Sequence, residues 1–280
     1  MGVCDRFIAV NGLRLHCREW GQSSARPVVL LHGGSAHAHW WDLFADSIAD
    51  HYHVYALDLR GHGDSQHASP PAYRIDDYAR DLSTFMELLG LPNATLVGHS
   101  LGAMIATAYA GTAPRRVQSL VVVDSALKVT PADVRYMARL QRFPQPMYRS
   151  RDDALRRLRL LPMHTTADAS ILRHVAAYGL RQVADGRWTL KFDREAMAQD
   201  GPVDLTPHLQ RLRCPILFVR GAHSTLLTEA GLAALLRVAR HAQAVEIPDA
   251  HHHVMLDNPT AFERAIRNFL ESRFANSGYE

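Results

Sequence analysis

The sequence contains a serine in a glycine-rich turn and a cluster of histidines, two residue types that nucleophilic catalysis needs. Ser100 lies in the segment Gly98-His99-Ser100-Leu101-Gly102, where a short apolar run gives way to a helix-forming stretch. A serine hydroxyl is a weak nucleophile unless a base activates it, and a sharp strand-to-helix turn exposes it for attack. Glycines beside it let neighbouring backbone come close without a Cβ clash. The G-x-S-x-G pattern in this setting predicts that Ser100 is a nucleophile.

Three consecutive histidines near the C-terminus, His251, His252 and His253, supply a candidate base. A neutral imidazole takes a serine proton near neutral pH and returns it to the leaving group. The cluster lies about 150 residues after Ser100, so only a fold with both strand ends at one sheet edge brings them together. A metal site or a solvated loop is the alternative, but adjacent side chains diverge and seldom share one ion. We therefore expect no metal here.

A second glycine pair, in Leu31-His32-Gly33-Gly34-Ser35, ends another predicted strand and leaves backbone N–H groups available. Such groups stabilise the negative charge that develops on a carbonyl oxygen under attack. The N–H of Leu101, at the positive end of the helix it begins, would be the second donor. The alternative is an ordinary glycine turn in which His32 is only packed and hydrogen-bonded.

Short apolar runs alternate with helical patterns, which predicts an α/β protein with a mainly parallel sheet covered on both faces. Asn11-Gly12 joins the first two runs as an antiparallel hairpin. The predicted strands are residues 7–10, 13–20, 28–31, 54–57, 94–97, 120–123, 216–219 and 244–247, and the predicted helices are residues 40–49, 75–89, 101–113, 230–239 and 260–271.

This alternation breaks between about Leu127 and Leu209, where helix-period apolar residues predominate. We predict a core domain of residues 1–125 and 210–280 and a helical cap of residues 126–209, inserted after the sixth strand. Arginines cluster around the leucines of residues 149–161. An anionic ligand would explain them, but a solvated amphipathic helix is the favoured interpretation.

Composition limits the classes of partner. The 280 residues are 47% hydrophobic and carry a formal charge of +3, which does not favour nucleic-acid binding. We find no apolar run long enough to span a membrane and no secretory signal, so we predict a cytoplasmic protein.

Cys4, Cys17 and Cys214 are scattered, which predicts reduced thiols rather than disulfides or a zinc-thiolate site. The oligomeric state is not apparent from the sequence.

Four motifs together resemble the α/β-hydrolase superfamily: His32-Gly33-Gly34, residues 58–65 (DLRGHGDS), residues 98–102 (GHSLG) and residues 248–259. The resemblance spans nearly the whole chain outside the cap. It implies a mostly parallel, doubly wound sheet of eight strands with the helical cap described above. His62 and Asp64 fall in a loop that supports the site in this family, and we expect them to be structural.

The resemblance also assigns roles to individual residues. It implies that Ser100 is the nucleophile, that His252 rather than its neighbours is the base, and that the backbone N–H groups of Gly34 and Leu101 form the oxyanion hole. The position where the family most often has its acid holds Thr225 in this sequence. Some members place the acid after the strand next to the nucleophile helix, where this chain has Asp124.

We therefore predict Asp124 as the acid, with Glu229 as the alternative. The physical requirement is a carboxylate that reaches Nδ1 of His252, fixes its tautomer and stabilises the imidazolium. Glu229 also fits an ordinary favourable charge in the first turn of a helix.

The predicted substrate pocket is lined by Ser35, Trp41, His99 and Trp188. The resemblance implies a serine hydrolase without cofactor or metal that cleaves a small apolar ester, lactone or thioester. Two alternatives stay open: a carbon–carbon bond hydrolase of the same fold, and a non-catalytic ligand-binding protein. Vacancy of the usual acid position supports the second of these, since fold alone does not imply function.

Overall fold

A computed structural model describes residues 2–197 and 201–272. Its strands, in chain order, are β1 (Cys4–Val10), β2 (Leu13–Trp20), β3 (Arg26–Leu31), β4 (Tyr52–Leu57), β5 (Ala94–His99), β6 (Val117–Val123), β7 (Lys128–Val129), β8 (Leu180–Gln182), β9 (Trp188–Leu190), β10 (Val203–Asp204), β11 (Ile216–Gly221) and β12 (Gln243–Ile247).

Its α-helices are α1 (Asp42–Ile48), α2 (Ile75–Leu88), α3 (Leu101–Thr112), α4 (Pro131–Gln141), α5 (Arg151–Arg157), α6 (Ala169–Tyr178), α7 (Thr206–Leu209), α8 (Glu229–Val238), α9 (Val254–Asp257) and α10 (Pro259–Ser272). A 3₁₀ turn, Ala38–Trp41, leads into α1.

The central sheet that these residues form has eight strands in the order β1-β2-β4-β3-β5-β6-β11-β12. β2 pairs antiparallel with both of its neighbours, and the remaining neighbours are parallel. The expected mostly parallel, eight-stranded sheet is therefore confirmed, and its opening hairpin lies at one edge. The parallel strands end at the same edge of the sheet, which is where open α/β sheets carry their functional loops.

Two apolar layers cover the sheet, because successive residues of a strand face opposite sides. In β3, Val29 and Leu31 join the layer that contains α2, α3 and α8, whereas Val28 and Leu30 join the layer that contains α1 and α10. All four side chains are fully buried. This is the doubly wound arrangement that the continuous apolar runs predicted.

The segment between β6 and β11 contains helices α4 to α7, in keeping with its helix-period residues, and also short strands that the sequence does not predict. β7 pairs with β10, and β8 pairs with β9 as a hairpin. Pairs of two or three residues are too short to show strand periodicity, so helix-period residues dominated the prediction. We call residues 126–209 the cap segment. The loop that follows β3 contacts it through His37, whose Nε2 donates to the carbonyl of Val175 at 2.9 Å.

Among the helices that are described, none has both the length and the apolar composition required to cross a membrane.

Candidate active site

Ser100 lies in a strained turn between β5 and α3. Its φ of 52° and ψ of −113° place it in a region that residues with a Cβ seldom occupy, and such strain occurs mainly at functional sites. Its N–H donates to the carbonyl of Val123 at 3.0 Å, which ties the turn to the neighbouring strand β6. The side chain of Ser100 is half-buried, so it is held at the sheet edge without being enclosed.

Both glycines of the G-x-S-x-G motif are needed for close packing. A Cβ on Gly98 would lie 2.4 Å from the carbonyl oxygen of Gly102, and a Cβ on Gly102 would lie 2.1 Å from that of Leu31. A Cβ does not approach a non-bonded atom this closely, so α3 can begin directly over β3 and β5 only because these side chains are absent. The tight turn is therefore encoded by the two glycines on either side of Ser100.

His252 and Asp124 form a buried pair next to this turn. The Nδ1–H of His252 donates to Oδ2 of Asp124 at 2.7 Å, and Asp124 is fully buried. The carboxylate accepts two further hydrogen bonds, from the N–H of Gly221 at 3.1 Å and from the hydroxyl of Ser224 at 2.5 Å. These bonds fix the carboxylate, which in turn orients the ring of His252 and leaves Nε2 as the basic nitrogen.

Asp124 and the histidine loop, which are distant in sequence, meet because β6 and β11 end side by side. Asp124 follows β6, and its N–H donates to the carbonyl of Val219 in β11 at 2.8 Å. A Cβ on Gly221, the last residue of β11, would lie 2.0 Å from the carbonyl oxygen of His251, so the histidine loop rests directly on this strand end. The requirement that both strand ends share one sheet edge is thus met.

Ser224 is a residue of this site that the sequence analysis missed. We considered Thr225 at the usual acid position, but Thr225 is exposed, whereas Ser224 is buried and contacts the Asp124 carboxylate. Its hydroxyl also accepts from the N–H of Leu226 at 3.2 Å. Glu229, the alternative acid, is exposed at the start of α8. The absence of an acid at Thr225 indicated that this loop departs from the usual pattern. The sequence did not show that the hydroxyl of the preceding residue, Ser224, points inward.

The three consecutive histidines point in different directions. His252 contacts Asp124, whereas Nε2 of His253 donates to the carbonyl of Pro162 in the cap segment at 2.8 Å. The half-buried His251 ring lies 5.8 Å from the ring of His164. The divergence expected of adjacent side chains is present, and the three rings do not converge on one point.

The glycine loop after β3 lies against the serine turn. A Cβ on Gly33 would be 2.7 Å from Nδ1 of His99 and 3.3 Å from the Cβ of Ser100, so a larger residue here would push the two loops apart. Gly34 is the next residue and is exposed, with open space around its Cα. Leu101 is the first residue of α3, so its N–H has no acceptor within the helix. Two backbone donors therefore border the region around Ser100.

The four expected pocket residues have different surroundings. His99 is buried beside the site, with its ring 4.6 Å from that of His252, and its Nε2 donates to the carbonyl of His252 at 2.9 Å. Ser35 is half-buried in the glycine loop with a φ of 58°. Trp188 is half-buried in a small apolar cluster within the cap segment, where it pairs with Tyr148.

Trp41 differs from the expectation. It is fully buried between Phe44 and Phe262 in the core, and its neighbour Trp40 is the residue that approaches the site, 5.3 Å from the ring of His253. Consecutive residues of the 3₁₀ turn face different sides. Two adjacent tryptophans in a sequence do not reveal which of them faces the site. We therefore leave Trp41 out of the pocket and include Trp40.

Burial controls the protonation of the site. It lowers the pKa of the His252 imidazole, and the neighbouring His253 lowers it further, so His252 is neutral at pH 7 and can act as a base. Burial raises the pKa of Asp124, against the hydrogen bonds from Ser224 and Gly221 that favour its ionised form. The site therefore disfavours an unpaired charge on either group.

Comparison with known proteins identifies the fold family. A family model described as alpha/beta hydrolase fold matches residues 26–259. The chain belongs to the alpha/beta hydrolase family. Residues 32–34, 58–65, 98–102 and 248–259, which carry the resemblance in the sequence, lie within the matched range.

Two curated relatives match this hydrolase over nearly its full length. It is 30% identical over 273 residues to an esterase, Rv0045c, of Mycobacterium tuberculosis, covering 95% of this chain and 87% of the relative. It is 29% identical over 272 residues to a 2-(acetamidomethylene)succinate hydrolase of Mesorhizobium japonicum, covering 96% of this chain and 95% of the relative.

A solved structure of an E-2-(acetamidomethylene)succinate hydrolase superposes on the hydrolase with a TM-score of 0.86 at 28% identity, covering 96% of this chain and 100% of the other. These relatives share the hydrolase fold but differ in the substrates that their names state. The family assignment therefore supports a hydrolase and leaves the bond it cleaves to be inferred from the site.

Proposed function

We propose that this hydrolase cleaves carboxylic esters of small molecules through an acyl-enzyme on Ser100. The observation that carries the proposal is the hydrogen bond of His252 to a fully buried Asp124, beside a serine in a strained strand-to-helix turn. Nucleophile, base and orienting acid are the three groups that acyl transfer by a serine requires. The roles of these residues form part of the proposal.

The first half-reaction transfers the acyl group to the enzyme. Nε2 of His252 takes the proton of the Ser100 hydroxyl as Oγ attacks the ester carbonyl. The N–H groups of Gly34 and Leu101 donate to the oxyanion, and the neutral His252 becomes an imidazolium beside the Asp124 carboxylate. The intermediate collapses, the bond to the alcohol oxygen breaks, and the imidazolium returns its proton to the leaving alcohol.

The second half-reaction restores the enzyme with one water molecule. His252 takes a proton from the water, whose oxygen attacks the acyl carbonyl, and the same N–H groups hold the oxyanion. Collapse breaks the bond to Oγ and returns the proton to Ser100, which releases the acid. Lactones and thioesters follow the same sequence of steps, so we include them as substrates of the same chemistry.

The charges around the site favour an uncharged substrate. Among the residues that the structure describes, the three buried arginines are each paired with a carboxylate: Arg18 with Asp42, Arg60 with Asp81 and Arg220 with Glu246. The ring of His99, the residue before Ser100, lies beside those of Trp40 and His253, and burial lowers the pKa of both histidines, so they are neutral. Neutral aromatic groups suit an apolar acyl or alcohol part.

The similarity to acetamidomethylene succinate hydrolases supports a second candidate, the hydrolysis of an acylated enamine that bears two carboxylates. Binding of its two carboxylates would require free cationic groups at the site. Because the buried arginines are already paired with carboxylates, this candidate is less favoured than ester hydrolysis. A carbon–carbon bond hydrolase and a non-catalytic binding protein are the further alternatives. A cytoplasmic location stays a prediction.

A panel of p-nitrophenyl esters, a thioester, a lactone and (E)-2-(acetamidomethylene)succinate tests the proposal on the wild type, His252→Gln and His251→Gln. We expect turnover of the neutral esters. His252→Gln should lower kcat by about 10³-fold or more, since the base and nucleophile act as a unit. His251→Gln is the matched control, because its side chain points away from Asp124, and it should keep a kcat close to that of the wild type.

Turnover of the dicarboxylate alone would replace the ester proposal by the second candidate. Equal loss in both histidine variants would contradict the assignment of the base. A folded wild type without turnover of any of these compounds would favour the binding-protein alternative.

A further inference from the structure

A cluster of possible metal ligands joins the core to the cap segment. His39 lies in the 3₁₀ turn after the glycine loop, Asp42 begins α1, and His174 lies on α6. Nδ1 of His39 and Nε2 of His174 both contact Oδ2 of Asp42, at 2.9 and 2.7 Å. All three ligand atoms lie within 4.8 Å of one another. The mechanism above uses none of them.

We propose that His39, Asp42 and His174 bind a zinc ion that ties the cap segment to the core. Two imidazoles and one carboxylate are a donor set that zinc accepts, with a water molecule in the fourth position of a tetrahedron. We expected no metal from the sequence, in which this cluster is not visible: His174 is separated from the other two residues by more than 130 positions, and only the fold brings them together.

The geometry needs little change to accept the ion. Bonds of about 2.0 to 2.1 Å at tetrahedral angles separate neighbouring ligand atoms by about 3.3 Å. The two nitrogen-to-oxygen distances must therefore open by about half an ångström, which small side-chain rotations achieve. Binding replaces the protons now shared between the imidazoles and the carboxylate, so zinc competes with protons at this site.

Neighbouring groups hold the three side chains in place. Arg18 pairs with the other carboxylate oxygen of Asp42, which leaves Oδ2 directed at the imidazoles. The ring of Tyr178 stacks on that of His39 with centroids 3.6 Å apart and an angle of 11°, which fixes the ring plane. Outer contacts of this kind orient metal ligands. Asp5 also pairs with Arg18, at 3.3 Å, and offsets its positive charge.

The site is accessible from solvent. The side chain of His174 is 41% exposed, whereas those of His39 and Asp42 are 8% and 17% exposed. An ion can therefore enter beside His174, and the fourth position faces water. Because His174 belongs to the cap segment and the other two ligands to the core, a bound ion cross-links the two.

Zinc titration by calorimetry of the wild type, His174→Gln, His39→Gln and His164→Gln tests the proposal. His164 is the matched control, since it is an exposed histidine of the cap segment that contacts a different group of histidine rings. X-ray absorption at the zinc edge of the loaded wild type gives the ligand set without any variant. Melting temperatures with and without zinc give the effect on the fold.

We expect one zinc ion per chain, bound by two imidazole nitrogens and oxygen ligands at about 2.0 to 2.2 Å, and a raised Tm. His174→Gln and His39→Gln should each weaken binding by about tenfold or more, while His164→Gln binds like the wild type. Failure of the wild type to bind zinc would overturn the proposal. Unchanged affinity in His174→Gln, or loss of binding in His164→Gln, would overturn it as well, because the ion would then lie elsewhere.

Discussion

Among single residues, Asp124 has the largest share in the proposed mechanism. Its carboxylate is fully buried, and its hydrogen bonds come from one side chain of the histidine loop, one backbone N–H of β11 and one hydroxyl of the following turn. A buried carboxylate without such partners would be costly. Ser224 and Gly221 therefore complete the hydrogen bonding that a buried carboxylate at this strand end requires.

Asp124→Asn tests this role. An amide in place of the carboxylate donates to Nδ1 of His252, selects the wrong tautomer and removes the charge that stabilises the imidazolium, so kcat for ester hydrolysis should fall by about 10⁴-fold. Steady-state kinetics measures the effect. Glu229→Gln is the control and should change kcat little, because Glu229 is exposed at the start of α8. Near-normal turnover of a folded Asp124→Asn variant would contradict the assignment.

At the scale of the element, the site depends on how closely α3 approaches the sheet. A Cβ on Gly102 would meet the carbonyl oxygens of Leu31 and His32 at 2.1 and 2.7 Å. Both are backbone atoms at the end of β3 and in the glycine loop, so they cannot rotate away. The first turn of α3, which positions Ser100 and the N–H of Leu101, would have to shift instead.

Gly102→Ala should therefore lower the free energy of unfolding by about 1 to 3 kcal/mol, the usual cost of overpacking, even though alanine favours helix. Urea denaturation measures it. Gly34→Ala is the matched control, since a Cβ there meets nothing within 4 Å, and its unfolding midpoint should stay near that of the wild type. An equally stable Gly102→Ala variant would show that α3 does not lie this close to β3.

The elements also show what a sequence can predict. The central strands and helices α2, α3 and α10 agree with their predicted ranges within a few residues, because they are long and their apolar patterns are unambiguous. The four short strands of the cap segment were missed, since they carry no such pattern. Trp41 and Ser224 show the same limit: which of two adjacent side chains turns inward depends on local backbone geometry that periodicity and motifs in the sequence do not reveal.

At the scale of the whole molecule, buried histidines make stability depend on pH. Burial lowers the pKa of six of them below the ordinary value of 6.5: His32, His37, His62, His99, His252 and His253. Below about pH 6.5 the unfolded chain therefore binds more protons at these groups than the folded chain does, so acid favours unfolding. The lowered pKa of Asp58 acts in the same direction at lower pH, and the raised pKa values of Asp124 and His16 oppose it.

The free energy of unfolding should therefore fall as the pH decreases from 7.5 to 5.5, by up to about 1.4 kcal/mol per pH unit below 6.5 for each buried neutral histidine. Urea midpoints at the two pH values measure it. Added salt controls for surface charges, which it screens more than buried ones. A midpoint at pH 5.5 equal to or above that at pH 7.5 would mean that the buried histidines are already protonated in the fold.

The proposal that Ser100 is an activated nucleophile can be tested through the intact mass of the protein after incubation with a fluorophosphonate. The reagent bonds to a serine oxygen and loses fluoride, and it reacts with serines that a neighbouring base activates. We expect one adduct on the wild type and none on Ser100→Ala. A folded wild type that gains no mass, or an adduct that persists in Ser100→Ala, would contradict it.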